Sequence, residues 1–204
     1  MLLTKRELPV LAVNVIYLPV FATLAASRGN YEFVLYGAVV LVLAIWVLMK
    51  QRTVRFDLFI LWGLTLWGLL HMAGGNCYVA GKRLYALQLI RIALPPYEVL
   101  RYDHVVHLFG FGVVTLVCYH LLEPYLRERT GRAWGLYALV VLMGTGVGAV
   151  NEILEFVAVL LVPETGVGGY ENTMLDLVFN LIGGVAAAAW IARRRRRDAQ
   201  SKQS

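Results

Sequence analysis

The sequence predicts an all-α, polytopic membrane protein of about six transmembrane helices in a bundle. Three observations lead there. The chain is 59% hydrophobic and only 16% charged, with a mean hydropathy of +0.66, and a water-soluble fold of this size has nowhere to place so much apolar surface. Its apolar residues fall into unbroken Leu/Val/Ala-rich runs rather than the alternating pattern of barrel strands. Its lysines and arginines gather in alternate connections between those runs.

A hydrocarbon core of about 30 Å needs roughly 20 helical residues, because only a helix or a closed barrel satisfies every backbone group in lipid. Runs of that length occupy residues 8–26, 31–49, 56–74, 104–122, 134–162 and 174–192. The first follows Lys5 and Arg6 and ends at Ala25-Ala26-Ser27, which imitates a cleaved secretory signal but has a longer apolar stretch. Cleavage would leave five spans in the same orientation. Pro9 and Pro19 bracket this run and predict a kink.

The connection 75–101 carries Leu84, Leu87, Ile90 and Leu94 at helical spacing. It predicts an amphipathic interfacial helix, with Lys82, Arg83 and Arg91 near headgroups and Pro95-Pro96 ending it; an ordinary packed loop helix is the alternative. In the fifth run, Gly144 and Gly148 form a small-xxx-small spacing that lets a neighbouring helix approach. TGVG occurs at 145–148 and at 165–168, but the residues that follow do not repeat.

Fourteen basic residues (Lys5, Arg6, Lys50, Arg52, Arg55, Arg127, Arg129, Arg132, Arg193 to Arg197 and Lys202) fall on one side of this arrangement and five (Arg28, Lys82, Arg83, Arg91, Arg101) on the other. Both termini are therefore expected in the cytoplasm, with the chain crossing the plasma or inner membrane an even number of times. Residues 193–204 form a basic cytoplasmic tail that reads as a stop-transfer anchor, with nucleic-acid or anionic-lipid recognition as the alternative. The net charge of +6 reports orientation rather than nucleic-acid binding, since the charges lie in short runs between spans. Cys77 and Cys118 form no CxxC and indicate neither a disulfide framework nor a thiolate metal site.

The functional signal is polar. Asp103 and His107 are four residues apart at the start of the fourth span, hence on one helix face, where Asp103 also suits a helix N-cap. His104 points off that face and is expected at the interface. The fifth span contains Asn151, Glu152 and Glu155 on one side of an otherwise apolar helix, and Glu152 lies about 27 Å along it at 1.5 Å per residue. A charge deep in lipid costs roughly 2.5 to 3.5 kcal/mol on insertion scales, so two carboxylates demand a bundle interior, a partner, a bound ion or protonation. The sixth span carries Asp176 and Asn180 four apart, with Asn172 as its expected N-cap; His71 lies near the outer end of the third span. The candidate metal ligands are therefore His71, Asp103, His107, Glu152, Glu155 and Asp176. Asn151, Asn172 and Asn180 are the supporting polar groups, and Glu152 and Glu155 the candidate catalytic residues. All are expected toward the non-cytoplasmic face.

The segments YDHVVHLFGFG, NEILEF and YENTMLDLVFNLIGG resemble the pattern shared by VanZ-like membrane proteins and YjdF-type inner-membrane proteins. There an Asp-x-x-x-His helix start precedes a Glu-containing helix and a final Asp-x-x-x-Asn-x-x-Gly helix. The matching positions here are Asp103 and His107, Glu152 and Glu155, then Asp176, Asn180 and Gly183, covering roughly residues 100–190. The YjdF-type pattern commonly has Trp-Asp before the last helix, where this chain has Tyr170-Glu171. The resemblance implies a cell-envelope role, some VanZ-like members conferring glycopeptide resistance, and brings no settled chemistry with it.

Three classes of function follow. In the first, the histidines and carboxylates hold a divalent metal or serve as acid and base on a lipid-linked or headgroup substrate. Mixed nitrogen and oxygen ligands suit zinc, manganese or iron, and oxygen-rich coordination suits magnesium. No HExxH, Walker loop, GxSxG elbow or phosphatase signature names the reaction. In the second, the chain is a non-catalytic binder or transporter whose intramembrane acids carry protons or cations. In the third, the polar groups only fix helix packing.

Overall fold

The computed structural model describes residues 3–90, 99–126 and 134–201. Six helices, each long and apolar enough to cross a membrane, dominate them: α1 (Leu8–Ser27), α2 (Tyr31–Val54), α3 (Leu58–Asn76), α4 (Tyr102–Leu122), α5 (Trp134–Leu161) and α6 (Tyr170–Ser201). Large apolar side chains such as Val15, Ile16, Val42, Ile153 and Leu160 stay exposed along them. In a water-soluble protein this would be costly, whereas here the surface meets lipid chains.

The helices are not equivalent. Half of the most apolar stretch of α4 is buried, against 22% in α1 and α2, so α4 is the central element, packed along α6 and also against α3 and α5. Small residues make that packing close. A Cβ on Gly183 would lie 2.0 Å from the Leu108 carbonyl oxygen, and one on Gly112 would lie 3.2 Å from the Gly183 oxygen. The backbones of α4 and α6 therefore touch. Gly144 and Gly148 do the same work on α5: Thr115 fills the space beside the first and Asn180 the space beside the second.

α1 packs on α2 and α3. Asn14 anchors it by donating to the Thr65 hydroxyl at 2.7 Å and to the Val10 carbonyl at 2.8 Å, which satisfies an amide that lipid could not. Pro19 lies inside the helix. At the turn after α2, Arg55 adopts a left-handed conformation at φ 52°, and the buried Gln51 side chain closes the turn through bonds to both backbone groups of Phe56.

Two expectations need correction. No helix spans residues 84–90. Tyr78–Val79 (β1) pairs antiparallel with Lys82–Arg83 (β2) around Ala80 and Gly81, both at positive φ, and one 3-10 turn follows at Leu84–Ala86. Leu87 and Leu89 then bond the backbone of Tyr102 and Leu100, so the chain is pinned as an extended segment beside the start of α4; Arg91, Leu94, Pro95 and Pro96 lie outside the described residues. α6 continues through the arginine run, Arg193 to Arg197, as far as Ser201. Asn172 is not an N-cap, since α6 begins at Tyr170 and places it in the first turn.

The ends of α1, α3 and α5 and the starts of α2, α4 and α6 share one end of the bundle. Asp103, Glu152, Glu155 and Asp176 lie toward that end; Lys50, Arg52, Arg55 and the α6 arginines lie at the other.

Candidate functional site

α4, α5 and α6 converge because their backbones touch, and this convergence carries Asp103, His107, Glu152, Glu155, Asp176 and Asn180 to one place. His107 is the hub. Its Nε2 lies 3.6 Å from Asp103 Oδ1, 3.9 Å from Glu155 Oε1 and 4.0 Å from Asp176 Oδ1. Its Nδ1 lies 3.1 Å from Asn180 Oδ1 and 3.6 Å from Glu152 Oε1. Four carboxylates thus surround one imidazole that is 5% exposed.

The hydrogen bonds fix how these groups face each other. An amide oxygen only accepts, so the His107 Nδ1 beside Asn180 carries the proton and donates. Nε2 of the neutral ring then presents a bare lone pair toward three carboxylate oxygens. Lone pairs facing one another in a low-dielectric interior repel unless a cation or a proton lies between them. Asn172 holds the far side of the pair of aspartates, donating to Asp176 Oδ2 at 2.6 Å and to Asp103 Oδ2 at 3.4 Å. Asn151 donates to Glu155 Oε1 at 2.9 Å.

What remains unpaired is concentrated here. Both Glu152 oxygens, Asp176 Oδ1, His104 Nε2, Asn172 Oδ1 and Asn180 Nδ2 are buried without a hydrogen-bond partner. Such groups are uncommon, each costing about 1 to 3 kcal/mol, and a cluster of them marks a ligand or ion position more readily than packing. Asp103, His107 and Asp176 form one set of potential ligands and His107, Glu152 and Glu155 another, the donor atoms of each lying within 4.8 Å of one another. Two donors bound to one ion at about 2.1 Å sit roughly 3.4 to 3.6 Å apart for tetrahedral to trigonal angles. The observed 3.6 to 4.0 Å from His107 Nε2 to each oxygen needs a contraction of only a few tenths of an ångström for those nitrogen–oxygen pairs, while Glu155, in the other set, has further to move to join the two aspartates.

Not every expected residue joins. His71 lies apart, its Nδ1 bonded to the Tyr85 hydroxyl and its ring among Phe33, Tyr36 and Tyr85. Burial, with Asp103 and Glu155 nearby, pushes the Tyr85 phenol well above its usual value, so it stays protonated and donates to His71. Asp103 is not an N-cap either, because Arg101 takes that position.

His104 was expected at the interface and is instead fully buried. It stacks on Phe179 with centroids 4.8 Å apart and planes within 3°. The Arg101 N–H donates to its Nδ1 at 3.2 Å, which leaves the proton on Nε2, 3.9 Å from Asp176 Oδ1. Glu32 was also not anticipated. It is 3% exposed, accepts from Gly166 N–H at 2.7 Å and pairs with Arg83 at 3.1 Å. Its sequence signal was a charge one residue inside an apolar run.

A small cleft of about 40 Å³ adjoins the cluster and reaches it through Asp103, Glu155 and Asn172.

An uncharacterised protein of Thermotoga maritima is 28% identical to this chain over 103 residues, 48% of this chain and 51% of that protein. The chain therefore spans about half the length of the curated relative it matches. No solved structure matches it. A family model described as a predicted membrane protein, DUF2238, matches residues 9–197, nearly the whole length and all six helices, and the chain belongs to that family.

Proposed function

We propose that this protein binds a divalent cation inside the bundle, with His107 Nε2, Asp103, Asp176 and Glu155 as its ligands. The observation that carries the reading is the approach of three carboxylate oxygens to His107 Nε2 at 3.6 to 4.0 Å. One nitrogen and three oxygens suit zinc, manganese or iron better than calcium. Asn180 and Asn172 play the outer role that ligands commonly need, the first fixing the histidine tautomer and the second the carboxylate.

Glu152 stands on the Nδ1 side of His107, with both oxygens unpaired. It is not needed as a ligand and is placed to take or give a proton beside the ion. The basic residues gather at the opposite end of the bundle, so the positive-inside rule puts the site toward the outer face of the plasma or inner membrane, at headgroup depth. A metal-assisted reaction on a lipid-linked or envelope substrate fits that depth. The resemblance of residues 100–190 to VanZ-like and YjdF-type proteins supports the same envelope assignment.

The test is elemental analysis of the detergent-purified chain beside Asp103→Asn, His107→Ala, Glu155→Gln and Asp176→Asn variants of unchanged elution and helicity. Near-stoichiometric metal in wild type, lost in each variant, is the expected result. Wild type without metal after supplementation would overturn the reading in favour of proton carriage by the same acids.

A further inference from the structure

The cleft beside the cluster has a chemistry of its own. Three carboxylates line it, those of Glu32, Asp103 and Glu155; no lysine or arginine is in the lining among the described residues, although Arg83 pairs with Glu32 at 3.1 Å and Arg101 lies 3.9 Å from Asp103. Glu32 comes from α2, which supplies none of the proposed ion ligands. Phe33, Tyr36, His71 and Tyr85 add rings to the walls, and residues 166–168 with Asn172 complete them. Phe33 and Tyr36 meet edge to face at 5.3 Å, and Tyr85 lies 5.9 Å from Phe33.

A second observation points to a ligand rather than to packing. Tyr36 is 7% exposed, lines the cleft, and its hydroxyl has no hydrogen-bond partner. At the inner end the Asn172 carbonyl oxygen, also in the lining, is buried and unpaired. The space thus offers hydrogen-bond acceptors, negative charge and aromatic faces. Glu32 and Glu152 stand beside the three ligand carboxylates, with Arg83 and Arg101 as the cations in reach, so carboxylates stay in formal excess even with a divalent ion and an anionic ligand is disfavoured. Aromatic walls with carboxylates are the means by which proteins hold organic cations, and unpaired acceptors call for N–H donors, which a quaternary ammonium lacks.

We propose that this cleft binds a primary ammonium group, carried either by a lipid headgroup or by a small soluble amine. The proposal concerns a subsite next to the cation site and does not require the ion.

The experiment uses the full chain in nanodiscs, with and without chelator treatment. One arm titrates ethanolamine against ethylene glycol, a neutral molecule of the same size, by saturation-transfer NMR. The other measures retention of phosphatidylethanolamine against phosphatidylglycerol by native mass spectrometry. The expected result is a preference of at least about tenfold for the ammonium compound in one arm or both, the arm identifying the source. Tyr36→Phe keeps the ring and removes one buried hydrogen bond, so it should weaken binding about tenfold. Glu32→Gln should weaken it at least as much. No preference in either arm, or a preference unchanged in both variants, would overturn the proposal. Ammonium binding that survives chelation would stand even if the metal reading failed, and metal without ammonium preference would separate the two in the other direction.

Discussion

At the scale of single residues, the chemistry turns on which nitrogen of His107 is free. Asn180 decides it by accepting from Nδ1, and this makes a sharp expectation. Asn180→Leu should lower metal affinity about 10- to 100-fold, as loss of an outer-shell partner commonly does, while Asn180→Asp, which still accepts from Nδ1, should retain the metal. Competition against a chelating dye would measure both. A merely structural asparagine would give the reverse order, since Leu suits an apolar interior better than a third buried aspartate. His104 illustrates a residue that sequence could not place: one position along from Asp103, it lies off the Asp103–His107 face by helix geometry, yet its Nε2 comes within 3.9 Å of Asp176 and its ring stacks on Phe179 of α6. Depth along each helix was legible from the apolar runs, and depth grouped His71 with the acids. Lateral position was not legible, and it separates His71 from them by pairing it with Tyr85.

At the scale of elements, the site exists because α4 and α6 share a backbone contact. Gly183 faces the Leu108 carbonyl with no room for a methyl group. Gly183→Ala should therefore force the helices apart and cost about 1 to 3 kcal/mol, in the range of overpacked cores, read as a lower Tm in detergent. Gly146→Ala, on α5 with nothing within 4 Å of its Cβ position, should leave Tm unchanged. Metal content should fall in the first variant and not in the second, because separation of α4 from α6 pulls His107 from Asp176. The six helices could be read from sequence since each is an uninterrupted apolar run. The segment after α3 could not, because Leu84, Leu87 and Ile90 fit a helix by spacing while the backbone of Leu87 and Leu89 finds better partners in Leu100 and Tyr102. That competition is tertiary, and local periodicity does not register it.

At the scale of the whole molecule, the distribution of charge assigns the two ends to the two sides of the membrane. Arginines at one end of α6 and carboxylates at the other make the helix a vector, and the positive-inside rule points its basic end to the cytoplasm. Glu171 and Gln200 are both exposed and stand near opposite ends of that helix, so they serve as probes. In a background with Cys77 and Cys118 replaced by serine, Glu171→Cys should react with a membrane-impermeant maleimide on intact cells. Gln200→Cys should react only after lysis. The reverse pattern would place the carboxylate cluster at the cytoplasmic face, where a headgroup substrate of the inner leaflet would replace one of the outer. Labelling at both positions in intact cells would mean dual insertion, which the imbalance of fourteen basic residues against five argues against. The orientation therefore decides which leaflet supplies the ligands of the cleft, and it can be measured before either the metal or the ammonium group is identified.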